Sequence, residues 1–185
     1  MADEQNGVSG AIGRFLGSFL IHAVLCSLTY SLITFWLTAH FEDASEKLRS
    51  DYPLESDVTS FLGEAASNLT EWCLISFLVS FLASCLFLYQ AQVSRPRNPG
   101  EGATRKTSWI ILFFVCLAGL SILWWEYVSI AEVQASLMSG NYQSALGAVA
   151  ISTLLAYFLG TLLFVKLTMR PSVPLGNRLP SSPWN

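Results

Sequence analysis

Charge is scarce in this chain. Of its 185 residues 12% are Asp, Glu, Lys or Arg and 52% are hydrophobic, whereas an ordinary soluble domain carries about 25% charged residues. Histidine occurs twice, at His22 and His40, and the four cysteines Cys26, Cys73, Cys85 and Cys116 never fall into a CxxC pair. A thiol redox centre needs paired cysteines at a wet surface where thiolate can form, and no zinc spacing is present either. P-loop, dinucleotide and nucleophile motifs are missing, as is any basic domain for nucleic acid. The pattern therefore assigns no catalytic residue, no metal, no cofactor and no nucleic-acid partner.

What is present is apolar sequence in long uncharged runs: Phe15 to Phe41, Trp72 to Ser94, Thr107 to Trp125 and Val133 to Val165. Each reaches the roughly 18 to 20 residues that carry a helix across a bilayer. Ser, Thr and Gly stand where a soluble bundle would place charges. The expected fold is all-α, a polytopic integral membrane protein forming one domain, with spans near 15–39, 72–93, 107–126 and 142–165 arranged as two helical hairpins. The leader MADEQNG is acidic rather than basic and no A-x-A site follows, so the first run is expected to remain in the mature chain.

Loop charge sets the orientation. Arg95, Arg97, Arg105 and Lys106 in the 94–106 loop, Lys166, Arg170 and Arg178 around the tail, and Arg14 near the start put eight of the ten basic residues on one side; Lys47 and Arg49 are the other two. The opposite side carries ten of the thirteen acids, among them Glu42, Asp43, Glu55, Asp57, Glu64 and Glu71. Short basic loops stay cytoplasmic, which predicts both termini inside. The external loop 40–71 contains an apolar stripe at helical spacing, Leu54, Val58, Phe61, Leu62, Ala65 and Leu69, expected as an amphipathic helix over 54–69 that either stands alone or runs into the second span. The tail 170–185, with Pro171, Pro174, Pro180 and Pro183, is expected to be mobile and cytoplasmic.

Small residues mark helix contacts in lipid, because apolar tails offer little reason for one helix to pack on another except close backbone approach. The run SALGAVAISTLLAYFLG has them at every fourth position: Ser144, Ala148, Ser152, Ala156 and Gly160. The second span repeats the spacing with Ser76, Ser80 and Ser84, and the first begins with Gly13 and Gly17. These are candidate packing seams, within the chain or toward another.

His22 is the main ionisable group within a span, on a stripe with Ser18, Cys26 and Tyr30. Such groups are functional candidates by default, so His22 and Tyr30 form a candidate intramembrane polar site. His40 lies about 27 Å further along the same helix at 1.5 Å per residue, too far to share one haem with His22. A neutral His22 bonded to a neighbouring helix is the expected state. Trp36, Trp72, Trp109, Trp124 and Trp125 are placed as an interfacial belt.

The expected function is a small non-catalytic membrane subunit, structural or accessory, in a larger assembly; the alternative is a small oligomeric transporter or channel. Partners are membrane lipid and other membrane chains, identical or different. Loop charge points to a bacterial inner membrane or a plasma membrane. In a background lacking native cysteines, single cysteines at Ser94 and Ser172 should escape an impermeant thiol reagent in intact cells while one at Ser50 is labelled; the reverse pattern overturns the orientation.

Overall fold

The computed structural model describes residues 2–40, 42–43, 46, 58–93, 101, 105–130, 141–165 and 167–176. Four α-helices account for most of them: α1 (Ala2–Ala39), α2 (Val58–Val93), α3 (Lys106–Ile130) and α4 (Asn141–Phe164). A 3-10 helix, Leu167–Ser172, follows. No strand occurs among the described residues. A helix satisfies its own backbone polar groups, which is why uncharged apolar runs of this length settle as helices. Three are long and apolar enough to cross a membrane, over Gly10–Trp36, Ser67–Val93 and Ser144–Phe164; in α3 the described apolar segment is Lys106–Ile122. Large apolar side chains stand on their outward faces, for example Phe35, Trp125 and Ile151.

The helix expected over 54–69 runs into the second span. From Val58 on it is continuous with the second apolar run inside α2. Leu54 and the side chains of Val58, Phe61, Leu62 and Ala65 lie outside the described residues, as do residues 47–57, 94–100 and 102–104, whereas Leu69 is fully buried.

α2 and α4 lie side by side, with α1 against both and α3 packed chiefly on α2. Contacts give the directions. Gly17 near the start of α1 faces Phe164 at the end of α4, and His22 of α1 meets Ser80 late in α2, so α1 is antiparallel to both. Trp109 early in α3 meets Thr161 late in α4, so α3 is antiparallel to α4.

The apolar interior is divided between the two ends. At the end holding the starts of α1 and α3, here the basic end, Phe87, Leu88, Trp109, Cys116, Tyr157 and Val165 form one cluster with Met169 and Val173 from beyond α4. At the other, acidic end the described members of the cluster, Ile33, Leu69, Cys73, Phe77, Ala145, Val149 and Ala156, come from α1, α2 and α4.

Two expectations need correction here. The segment just after α4 is not a mobile tail: Met169 and Ser172 are fully buried, and Arg170 and Val173 nearly so. Val173 N–H donates to the Arg170 carbonyl and Gly176 N–H to that of Val173, both at 3.0 Å. Leu175 adopts φ 65°, and a β-carbon on Gly176 would strike the Arg170 carbonyl oxygen, so the chain turns back tightly onto the bundle. Its apolar residues Val165, Met169 and Val173 drive this docking; Pro171 lies within the 3-10 helix and does not prevent burial. A cysteine at Ser172 would therefore be shielded by packing alone, and Ser182 is the position that reports the side of the membrane.

The second correction concerns Trp109. It is buried rather than interfacial. Its indole N–H donates to Thr161 Oγ1 at 2.9 Å, and Tyr157 O–H donates to the Trp109 carbonyl at 3.0 Å. A buried tryptophan needs such a partner for its N–H. Trp36 is exposed and stacks on His40 with ring centroids 4.3 Å apart, and Trp72 is half-buried.

Trp109 should dominate the attachment of α3. Truncation of a buried tryptophan costs about 3–5 kcal/mol, whereas a single interhelical hydrogen bond in a membrane averages about 0.6 kcal/mol. Trp109→Ala is expected to lower thermal stability in mild detergent far more than Tyr157→Phe; equal effects would show that hydrogen bonding, not packing, holds α3.

Candidate functional site

The polar side chains of the bundle converge where α1, α2 and α4 meet. Ser18 and Ser80 are fully buried, as is Ser84 on the same face of α2, and His22 and Thr153 are 3% and 1% exposed. His22 Nδ1 lies 2.8 Å from the Ser18 carbonyl one turn back. Its Nε2 lies 3.0 Å from Ser80 Oγ, and Ser80 donates to the Thr153 carbonyl at 3.0 Å. One chain of contacts therefore joins three helices. Phe81 closes the ring edge-on at 5.5 Å.

Glycine makes this possible. A β-carbon at Gly160 would stand 2.8 Å from both His22 Cε1 and Ser18 Oγ, so α4 comes this near to α1 only without a side chain there. At Gly17 an added methyl would enter the ring of Phe164, whereas at Gly13 it would meet nothing. The Gly13/Gly17 pair is thus split between a contact and open space.

The α4 seam is split in the same way. Ala156 and Gly160 are buried, Ser152 is half-buried, and Ser144 and Ala148 are exposed. Residues four apart advance 400° around a helix, so each step drifts by about 40° and four steps by about 160°. A stripe at strict four-residue spacing cannot stay on one face of a straight helix that long. The inward face of α4 instead follows Ala145, Val149, Thr153, Ala156 and Gly160. Thr153, which the four-residue stripe leaves off the seam, lies at its centre. On α2 the stripe is only two steps long, and Ser76, Ser80 and Ser84 are all buried. Tyr30 and Thr34 on α1 have drifted outward and are exposed, their inward places taken by Thr29 and Ile33; Tyr30 is thus apart from His22.

Toward the acidic end α2, α3 and α4 separate to form a cleft of about 440 Å³, lined by Trp72, Ser76, Leu117, Ser121, Leu146 and Gly147 among others. The Trp109–Thr161–Tyr157 connection and this cleft carry no periodic signal in the sequence; they depend on where α3 meets α2 and α4.

Among the described residues no three His, Cys, Asp or Glu side chains stand close enough to hold a metal ion. The cysteines are buried or half-buried, with the thiols of Cys26 and Cys73 in contact between α1 and α2. No family model, no curated protein and no solved structure matches the chain.

The placement separates the seam residues experimentally. Ala156→Leu must overfill the α1–α2–α4 interior, at about 1–3 kcal/mol for overpacking, and Gly160→Ala should destabilise through its clash with His22. Ala148→Leu should leave folding of the isolated chain unchanged. Unfolding in detergent monitored by circular dichroism tests this; a loss for Ala148→Leu equal to that for Ala156→Leu would contradict the assigned α4 face.

Proposed function

We propose that this chain is a small, non-catalytic integral membrane protein that acts as a structural or accessory subunit of a larger membrane assembly. It crosses the membrane four times as two hairpins, with both termini and the 94–106 loop in the cytoplasm of a bacterial inner membrane or a plasma membrane. Three long apolar helices, the apolar α3, the antiparallel packing and the concentration of basic residues at one end support this topology. Lipid surrounds the outward apolar faces.

The observation that carries the subunit reading is the outer half of α4. Ser144 and Ala148 are exposed on α4. Lipid does not call for small side chains, whereas a helix from another chain uses them for close approach. The partner is a membrane chain, a second copy or a different protein, seated along the start of α4. The alternative, a small oligomeric transporter or channel, draws on the buried polar junction at His22, since intramembrane ionisable groups often lie on solute or proton paths.

The mass of the particle purified in mild detergent, with its co-purifying chains identified, distinguishes these. A stable hetero-complex that Ala148→Leu disperses, while the chain itself stays folded, is the expected result. A homo-oligomer that conducts or transports in liposomes selects the alternative. A monomer whose behaviour is unaffected by Ala148→Leu would remove the basis for assembly through α4.

A further inference from the structure

The junction of α1, α2 and α4 has one more hydrogen-bonding contact than a neutral histidine and a serine can fill. His22 Nδ1 approaches the Ser18 carbonyl at 2.8 Å, His22 Nε2 approaches Ser80 Oγ at 3.0 Å, and Ser80 Oγ approaches the Thr153 carbonyl at 3.0 Å. Both carbonyls can only accept. The first contact therefore needs a hydrogen on Nδ1 and the third needs the serine hydrogen. With that hydrogen directed at Thr153, the second contact needs another on Nε2. Neutral imidazole brings one N–H and serine one O–H, so three contacts share two hydrogens. Imidazolium brings two N–H groups and fills all three.

The neutral junction has one favourable arrangement. Nδ1–H donates to the Ser18 carbonyl, and the Ser80 hydroxyl turns to donate to Nε2. The other tautomer would set a bare Nδ1 lone pair against the Ser18 oxygen at 2.8 Å. We infer that His22 is a proton-binding site near the middle of the apolar segment Gly10–Trp36, and that the Ser80 hydroxyl passes its occupancy to α4. On proton uptake from water, Nε2 gains an N–H bond and the imidazole becomes imidazolium. The Ser80 O–H then rotates from Nε2 to the Thr153 carbonyl. No other bond changes, and the junction gains one positive charge. That charge rests on the Ser18 carbonyl oxygen and Ser80 Oγ.

No carboxylate lies within one turn of His22, Ser80 or Thr153 along their helices. The ionisable residues of α2 are Glu64, Glu71, Cys73, Cys85 and Tyr89, none within one turn of Ser80; those of α4 are Tyr142 and Tyr157. Tyr157, between Thr153 and Gly160, directs its hydroxyl to the Trp109 carbonyl on α3. On α1 itself Cys26 is one turn away and Arg14 two turns, about 12 Å along the axis at 1.5 Å per residue. Gly160 lets α4 close over the ring, so a proton on His22 acts on the packing of α2 against α4. Proton binding at His22 is independent of whether the chain is a subunit or a transporter.

Solid-state NMR of the full chain in lipid vesicles tests it, with ¹⁵N-labelled histidine and a ¹³C-labelled Thr153 carbonyl, and with His40→Gln to assign the two rings. At alkaline pH His22 should be the Nδ1–H tautomer. On acidification Nε2 should gain hydrogen in one step, and the Thr153 carbonyl resonance should shift with the same midpoint. Ser80→Ala should abolish the Thr153 shift and keep the Nδ1–H tautomer. A neutral Nε2–H tautomer overturns the assignment, as does an Nε2 that stays bare over the whole pH range in which the wild-type helices persist. A Thr153 resonance that does not move in the wild type, or moves equally in Ser80→Ala, overturns the link to α4.

Discussion

Where α1 passes α4, a methyl group on Gly160 would stand 2.8 Å from His22 and from Ser18. That close approach is the constraint on which the bundle depends. It brings α1 near enough for His22 to reach Ser80, and it seats Phe164 against Gly17 one turn further on. Hydrophobic burial cannot supply the drive for this contact in lipid, where the surrounding tails are as apolar as the helices. Backbone proximity and a few buried polar contacts have to supply it.

The distribution of polar side chains follows. Serine and threonine concentrate on faces shared by helices, at Ser18, Thr29, Ser76, Ser80, Ser84, Thr153 and Thr161, all buried. Large apolar side chains also stand on the outward faces. Both faces are therefore apolar, unlike a soluble bundle with a polar outer face, which explains why none of the four helices is strongly amphipathic despite having a distinct inside.

Helical class and the approximate extent of the apolar segments were legible from run length alone. The serine stripe of α2 pointed to the right face because two steps of four residues turn it little. The α4 stripe misled over its first half, since the drift of about 40° per step accumulates until Ser144 faces away from Gly160. His22 and Ser80 could each be singled out, but their contact could not: it spans 58 residues and needs the crossing at Gly160. Trp109 lies near a run boundary, where tryptophan usually meets the interface; only the position of Thr161 reveals its internal role. The residues after α4 read as a loose tail because proline is more conspicuous there than Met169 and Val173.

The attachment of α3 at Trp109 bears on the order in which the helices can come together. Trp109 finds its partners at Tyr157 and Thr161, and the cluster around it is closed by Val165, Met169 and Val173. All of these are translated after α3. When α3 leaves the ribosome, α1 and α2 can already pair through His22 and Ser80, but α3 has only α2 to lean on. α4 and the short segment behind it complete the seat of its Trp109 end. A nascent chain halted before those residues therefore holds α3 through α2 alone, without the two hydrogen bonds at Trp109.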